Sequence, residues 1–386
     1  MPTSTTYPTA TTLHTGGDGF IQALRQDLAS ASHSIAIQVM SFEADQAGRQ
    51  IIEMLSNYPQ LKRLLLVDAY STIVVNDTWT RKPGRRSPRL HAAKQELKAL
   101  WPLLQHAQGN GIDIRFTNPL GLLWMKYPMR NHKKCVLIDH QISYVGGINI
   151  TDHNFGWKDL MIRQQDEQLA SALHASFQAD WQAGFLPQKL QKFNPAKTSN
   201  STSTSNPTTT SDPTTTSNST TTSDPATTTN QSTRDTSTTP PPAYQRIDPN
   251  TELYLLSGLS TKTAYRRLQT QVEQAQKVEV FSPYITYPML DSVAKVADHT
   301  VWMPERNNKA LVQLTSRLPR YRKLNIQTIP GSPEEMLHAK VIILDDETVI
   351  YGSSNFDLIS YLFEQELVIV RRDVGLAQKI LATLRP

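Results

Sequence analysis

Two histidines in this 386-residue chain carry the same neighbours at the same spacing. His132 is followed by Lys134, then Asp139, then Gly146-Gly147-x-Asn149; His338 is followed at identical intervals by Lys340, Asp345 and Gly352-Ser353-x-Asn355. At residue frequencies of about 5%, five identical positions recur by chance at roughly one start in three million. The motif is therefore a duplication. A neutral imidazole is a nucleophile toward phosphorus, and the departing alcohol needs a second group that carries a proton. Two histidines brought together would supply both. Lysine ammoniums neutralise non-bridging phosphoryl oxygens, and the amides of Asn149 and Asn355 can donate to the same oxygens. The glycines just before each Asn let the backbone approach closely. Asp139 and Asp345 join His132, Lys134, His338 and Lys340 as candidate catalytic residues. Their place at the far end of apolar strands suits a strand-terminal or ion-pairing role as well.

Positioning these groups requires strands, because residues two apart on a strand share a face and so His132 projects with Lys134, and His338 with Lys340. The pattern around the motifs alternates as this demands. In the first half helices are expected over 18–32, 46–56 and 91–106, with strands over 34–42, 61–68, 112–116, 133–139 and 142–145. In the second, helices are expected over 262–274, 289–297 and 307–317, with strands over 277–282, 324–329, 337–345 and 348–352. The apolar run VIILD at 341–345 suits a sheet covered on both faces. Between the halves, residues 198–242 hold one apolar side chain, Ala226, in a loose Thr/Ser/Pro repeat. Such a stretch has nothing to bury against the entropy of ordering it and reads as a disordered linker. The expected fold is α/β: two similar α-β-α sandwich lobes, 13–197 and 243–386, forming one shared active site, with a disordered N-terminus over 1–12.

The paired motif resembles the signature of the phospholipase D superfamily. The likeness extends through Ser41-Phe42-Glu43, Leu66-Val67-Asp68, Asn118-Pro119, Arg130-Asn131-His132, Ser282-Pro283-Tyr284 and Gly352 to Asp357, and is most like the bacterial cardiolipin synthase branch. What the resemblance implies is a phosphohistidine intermediate in a double displacement, with no metal and no cofactor. It also implies an acidic residue that orients each imidazole. Asp159, 27 residues after His132, and Glu366, 28 after His338, are the candidates. Such a partner fixes the tautomer and stabilises the imidazolium. Two positions depart from the branch pattern: Leu358-Ile359-Ser360 lacks the usual arginine before the serine, and Glu364 stands where an asparagine is usual.

Residues 119–129, PLGLLWMKYPM, lie just before the first motif. They read as an acyl-chain groove or interfacial anchor, with Lys126 and Arg130 as cations, or as a loop packed between the halves. Arg81, Lys82, Arg85, Arg86 and Arg89 form a Pro-broken basic loop that would attract lipid head groups or nucleic-acid phosphates. A solvated loop with no ligand is the plain alternative. The lone Cys135 excludes an intramolecular disulfide and reads as a small buried hydrophobe. No apolar run reaches the length of a membrane span, and the start lacks the features of a signal peptide. The expected location is cytoplasmic, peripheral at the inner face of the cell membrane. The net charge of +5 favours anionic partners.

The expected activity is phosphatidyl transfer between phospholipids, as in cardiolipin synthesis, with a phospholipid substrate, a membrane surface as partner and no protein partner required. A phospholipase D hydrolase or a phosphodiesterase nuclease would use the same site; nucleic acid fits less well because the segment before His132 is greasy. An inactive lipid- or nucleic-acid-binding module is the alternative from another class.

Overall fold

The computed structural model describes residues 10–81, 87–122, 125–191, 240–305, 318–332 and 335–386. Most of the linker, the helix expected over 307–317, the centre of the basic loop, and Leu123 and Trp124 lie outside the described residues.

The first lobe contributes β1 (Ala10–Thr15), β2 (Ser34–Val39), β3 (Lys62–Asp68), a small hairpin of β4 (Val74–Val75) and β5 (Thr78–Trp79), β6 (Asp113–Thr117), β7 (Cys135–Ile138), β8 (Ile142–Gly146) and β9 (Leu160–Gln165). The second contributes β10 (Tyr244–Asp248), β11 (Thr251–Ser257), β12 (Lys277–Phe281), β13 (Asp298–Pro304), β14 (Ile326–Ile329), β15 (Val341–Leu344), β16 (Thr348–Gly352) and β17 (Gln365–Arg372). The main sheets run β1-β9-β8-β7-β2-β3-β6 and β10-β11-β17-β16-β15-β12-β13-β14. From β1 and β11 onward they match strand for strand. Parallel pairing is confined in each to the β2–β3–β6 or β12–β13–β14 end, and the remaining pairs are antiparallel. The duplicated motif thus sits in a duplicated sheet.

The apolar strands of the motif are shared between cores, as their alternation dictates. Cys135 and Leu137 of β7 face the same cluster as Val341 and Ile343 of β15, and Leu169, Leu173 and Phe177 of helix Glu167–Ala183 pack there with Ile380 and Leu381 of helix Val374–Leu384. Val136 and Ile138 turn outward into the first lobe's own core, and Ile342 and Leu344 into that of the second. Both lobes therefore belong to one compact unit built around a common middle layer. Cys135 is buried, with its thiol pushed up to about 12 by that burial, as expected of a small core residue.

Three readings need correction. Residues 10–12 were expected to lack structure but begin β1, where Ala10, Thr11 and Thr12 pair with Gln165, Gln164 and Arg163. Pairing there satisfies backbone groups along an otherwise open edge of β9. The strands expected over 133–139 and 337–345 are shorter, starting at Cys135 and Val341, so the motif histidines and lysines lie in the extended segments leading into them. Finally β9, β17 and the helices that follow each were not anticipated. Glu366 on β17 and Asp159 immediately before β9 are the carboxylates described next.

Candidate active site

The segments before β7 and β15 are held by the opposite lobe. Asn131 forms a parallel bridge with Gln365, and Leu337 one with Lys158. The His132 amide donates to the Gln365 carbonyl (2.8 Å), the Gln365 amide to the Arg130 carbonyl (2.8 Å), and the His338 amide to the Lys158 carbonyl (2.9 Å). The approach to His132 is further fixed by Asp68 at the end of β3. It accepts from Arg130 Nη1 (2.9 Å) and from the amides of Asn131 (2.7 Å) and Tyr70 (2.8 Å). Arg130 is buried in this pair and is not the surface cation its neighbourhood suggested. Burial lifts the Asp68 carboxyl to about 6, with Arg130 and the two amides opposing.

The bridges place each histidine beside the other lobe's acid. His132 Nδ1 lies 3.0 and 3.1 Å from the two oxygens of Glu366, and His338 Nδ1 lies 2.6 Å from Asp159 Oδ2. All four side chains are buried. Lys340 Nζ donates to the His338 carbonyl (2.5 Å) and lies 3.3 Å from Asp159 Oδ2 and 2.8 Å from His338 Nδ1; Lys134 Nζ donates to the His132 carbonyl (2.7 Å). Burial, then Lys340, push the His338 imidazole down to about 3 against the pull of Asp159, so it rests neutral. Burial alone would raise Asp159, but Lys340 and His338 outweigh it and hold the carboxyl below its usual range. Glu366 is raised by burial, with Lys134 and hydroxyl donors opposing. Burial also lowers the Lys134 ammonium, an effect Glu366 counters.

The glycine-to-asparagine turns serve the acids as well. Gly147 leaves room for Asp159, whereas its counterpart Ser353 donates its hydroxyl to Glu366 Oε2. Asn149 is largely committed within its lobe: its Oδ1 accepts from the Ser41 amide (3.1 Å) and its Nδ2 donates to Asn154 (2.8 Å). Asn355 is buried and its Oδ1 has no hydrogen-bond partner among the described residues. That atom is an acceptor, open to a donor on an incoming group and not to a phosphoryl oxygen.

Asp139 and Asp345 are not with the histidines. Asp139 accepts from the amides of Ser32 (2.6 Å), His33 (2.8 Å) and Ser34 (2.7 Å), and Asp345 from those of Gln276 (2.9 Å) and Lys277 (2.8 Å). Five residues of extended chain put either about 16 Å beyond its motif lysine. Both take left-handed backbone conformations, φ 51° and 54°. Their conserved spacing from the histidine marks the turn that closes the strand, which corrects the expectation that they are catalytic.

Sequence reasoning also missed three residues of the site: Ser353, Ser360 and Trp157. The Trp157 ring packs 4.5 Å from the His338 ring. Ser353 was visible as the one mismatch between the motif copies. The others carried no signal without knowing that residues 157–159 and 364–366 fill equivalent places.

Among the described residues, two groups of carboxylate and imidazole atoms converge within 4.8 Å: Glu43, Asp45 and Glu96, and His132, Glu364 and Glu366. The second is already bonded internally and through Ser353 and Ser360, and faces the Lys134 ammonium. It is a hydrogen-bonded network and not a ligand set.

The family model for the cardiolipin synthase, PLD-like domain matches residues 24–181 and 262–385, which takes in both motifs and every strand of the two main sheets except β1, β10 and β11. The chain belongs to that family. Cardiolipin synthase 1 of Staphylococcus epidermidis (strain ATCC 12228) is 29% identical over 175 residues, covering 44% of this chain and 31% of that protein. Major cardiolipin synthase ClsA of Bacillus subtilis is 22% identical over 393 residues, 96% of this chain and 67% of that protein. The chain thus spans between about a third and two thirds of the length of these curated relatives. Phosphatidylserine synthase of Haemophilus influenzae Rd KW20 superposes with a TM-score of 0.63 at 12% identity, over 97% of this chain and 86% of that one, which establishes the shared fold.

Within this cardiolipin synthase-like domain, a surface cavity of mixed polar and apolar lining lies beside Gln365, the neighbour of Glu366. It has a volume of about 410 Å³ and is lined by Asn118, Lys126, Met129, Leu259, Phe363 and Gln365, among others. Leu122 and Met125 are 83% and 77% exposed, and Met129, Leu259 and Phe363 partly so. Ile359, at the family's usual arginine position, is also surface-exposed. Among the described residues no helix is long and apolar enough to cross a membrane.

Proposed function

We propose that this domain transfers a phosphatidyl group between phospholipids through a phosphohistidine intermediate. The observation that carries the proposal is the exchange of acids, which gives two buried imidazoles, each with Nδ1 engaged by a carboxylate and each with a lysine beside it. A hydrogen bond from Nδ1 leaves the lone pair on Nε2 for chemistry.

One imidazole attacks phosphorus; the ester P–O bond breaks, and the departing alkoxide takes a proton from the other imidazole, held as imidazolium. The second half reverses this. An acceptor hydroxyl gives its proton to the now neutral imidazole and attacks phosphorus, and the P–N bond breaks. Lys134 and Lys340 stabilise the non-bridging oxygens. The arriving phosphoryl anion favours the charged form of Lys134 and so restores the ammonium that burial weakens. No cofactor enters the scheme.

A phospholipid substrate is supported by the activity named for the relatives and by the exposed apolar side chains of Leu122, Met125 and Met129 in the segment before His132, which suit acyl chains or the interface of a bilayer. The enzyme would then work as a peripheral protein on the membrane surface. Incubation of purified protein with vesicles of labelled phosphatidylglycerol, and separately with labelled single-stranded DNA, tests this. Release of glycerol with formation of a lipid bearing two phosphatidyl groups is expected. Cleavage of DNA with no lipid turnover would overturn the substrate assignment, and turnover of neither would overturn the site.

A further inference from the structure

Residues 157–159 and 364–366 occupy matching places, because Lys158 bridges to Leu337 as Gln365 does to Asn131. The match sets Asp159 against Glu366, and Trp157 against Glu364. His338 therefore packs on an indole, while the corresponding place beside His132 holds a second carboxyl group. That carboxyl is buried, as are Glu366 and Ser360 around it.

Ser360 Oγ lies 2.8 Å from Glu364 Oε2 and 2.9 Å from Glu366 Oε1. A hydroxyl has one proton to give. It can donate to one carboxylate, but it bonds the other only by accepting from it, so one of the two carboxyl groups must itself be protonated. Leaving both ionised would place two negative charges in a dry site and turn one of these contacts into a repulsion. Glu366 is the better anion: it takes the Ser353 hydroxyl, bonds His132, and is favoured as the charged form by Lys134 and Lys340. The Glu364 carboxyl makes no ion pair among the described residues, and its one hydrogen-bond partner there is Ser360.

We propose that Glu364 is a positioning residue that keeps a proton in the resting site, donating it to Ser360, which in turn donates to Glu366, so that His132 faces a single negative charge. Burial lifts the Glu364 carboxyl to about 7, with His132 opposing and Glu366 and Asp357 reinforcing. The other titratable groups near it are Lys134, from the segment leading into β7, and the phenols of Tyr70 and Tyr127. The sign follows. His338 rests neutral and is the imidazole suited to attack, which leaves His132 to carry the proton. As pH rises through the Glu364 value, a second negative charge appears beside His132, its imidazolium is over-stabilised, and release of its proton to the leaving alcohol slows. Glu364 thus sets an alkaline limit on turnover.

The kinetic part of this inference rests on the phosphohistidine reading, so the test has an arm that needs no turnover. Glu364→Gln keeps a neutral hydrogen-bond donor to Ser360 and cannot ionise. On phosphatidylglycerol vesicles it should retain activity within about threefold of wild type near neutrality, and its alkaline limb should move up by about one pH unit or more. Glu364→Ala, which lacks the donor, should not share that retention. In infrared spectra at about pH 6, the wild type should show a protonated-carboxyl C=O band that Glu364→Gln removes and that fades as pH rises past about 8. The variant comparison separates this band from that of Glu43, whose burial lifts it to about 9. An unchanged alkaline limb in Glu364→Gln, a loss beyond tenfold with an intact melting curve, or no band lost in Glu364→Gln would each overturn the proposal. If no lipid is turned over but the band behaves as described, the substrate assignment fails and the proton assignment stands.

Discussion

A Cβ on Gly147 would stand 2.3 Å from Asp159 Oδ1, inside any real contact distance. The glycine is there for the carboxylate. Its counterpart Ser353 can keep a side chain because that side chain bonds Glu366, whose longer stem approaches His132 differently.

Gly147→Ala should therefore displace Asp159 and loosen His338. Overpacking of this kind costs about 1–3 kcal/mol, a shift of a few degrees in Tm, while kcat should fall at least about tenfold. Ser353→Gly, which removes a donor but adds no clash, should be milder in kcat. Steady-state rates with melting curves on both variants check this, and equal effects would remove the steric argument.

His132 and His338 should act as a unit, since one attacks while the other handles the proton. Either Ala variant should lose several orders of magnitude in turnover, with the double variant little worse. Single-turnover trapping with labelled lipid should leave acid-labile label on protein carrying the attacking histidine, and none on the variant lacking it. Retention of more than about a tenth of wild-type activity in either single variant would contradict the scheme.

Asp139 is expected to matter for stability and not for chemistry. Its partial burial acts to raise the carboxyl, but the amides of Ser32, Ser34 and His33 outweigh this and hold it below the usual range. Ionised Asp139 thus adds stability that is complete above the ordinary carboxylate value and is lost as pH falls through the folded one. Asp139→Asn, which tolerates the left-handed backbone, should lower Tm by a few degrees near neutrality and converge with wild type in acid. Its rate per folded molecule should be unchanged.

The exposed side chains of Leu122 and Met125 offer a separate test of lipid contact. Replacing both with Ser removes apolar area that becomes buried only against lipid. At about 1.5–3 kcal/mol for a fully buried side chain, of which part is realised at an interface, vesicle activity should drop about 10- to 100-fold. Hydrolysis of a short soluble phosphodiester and the melting temperature should stay as they were. Equal losses on both substrates would return the segment to the role of a packed loop.

The repeat of His-x-Lys with Asp and Asn at fixed offsets was enough to read the duplication, the two-sheet plan and the four central residues. Less legible was the crossing of partners. Asp159 and Glu366 were visible by offset, but the lobe each serves depends on the Asn131–Gln365 and Leu337–Lys158 bridges, which join residues with no local pattern between them. Spacing misled for Asp139 and Asp345, because a turn that closes a hairpin is as constant in position as a reacting group. β9 and β17 escaped notice for a different reason. Glu366 lies at the start of β17 and Asp159 immediately before β9, and each interrupts the apolar run where a buried strand is usually recognised.

The crossing of acids also bears on ancestry. Two copies of a half-length chain docked in the same crossed manner would each lend a carboxylate to the other's histidine, so the proposed chemistry would not require fusion. What fusion adds is independence. In a self-paired half every substitution appears twice and must suit both the attacking and the proton-carrying side. In one continuous chain it appears once, and the two sides are released to specialise: an indole behind His338 and a carboxyl behind His132, a bare glycine facing Asp159 and a hydroxyl facing Glu366.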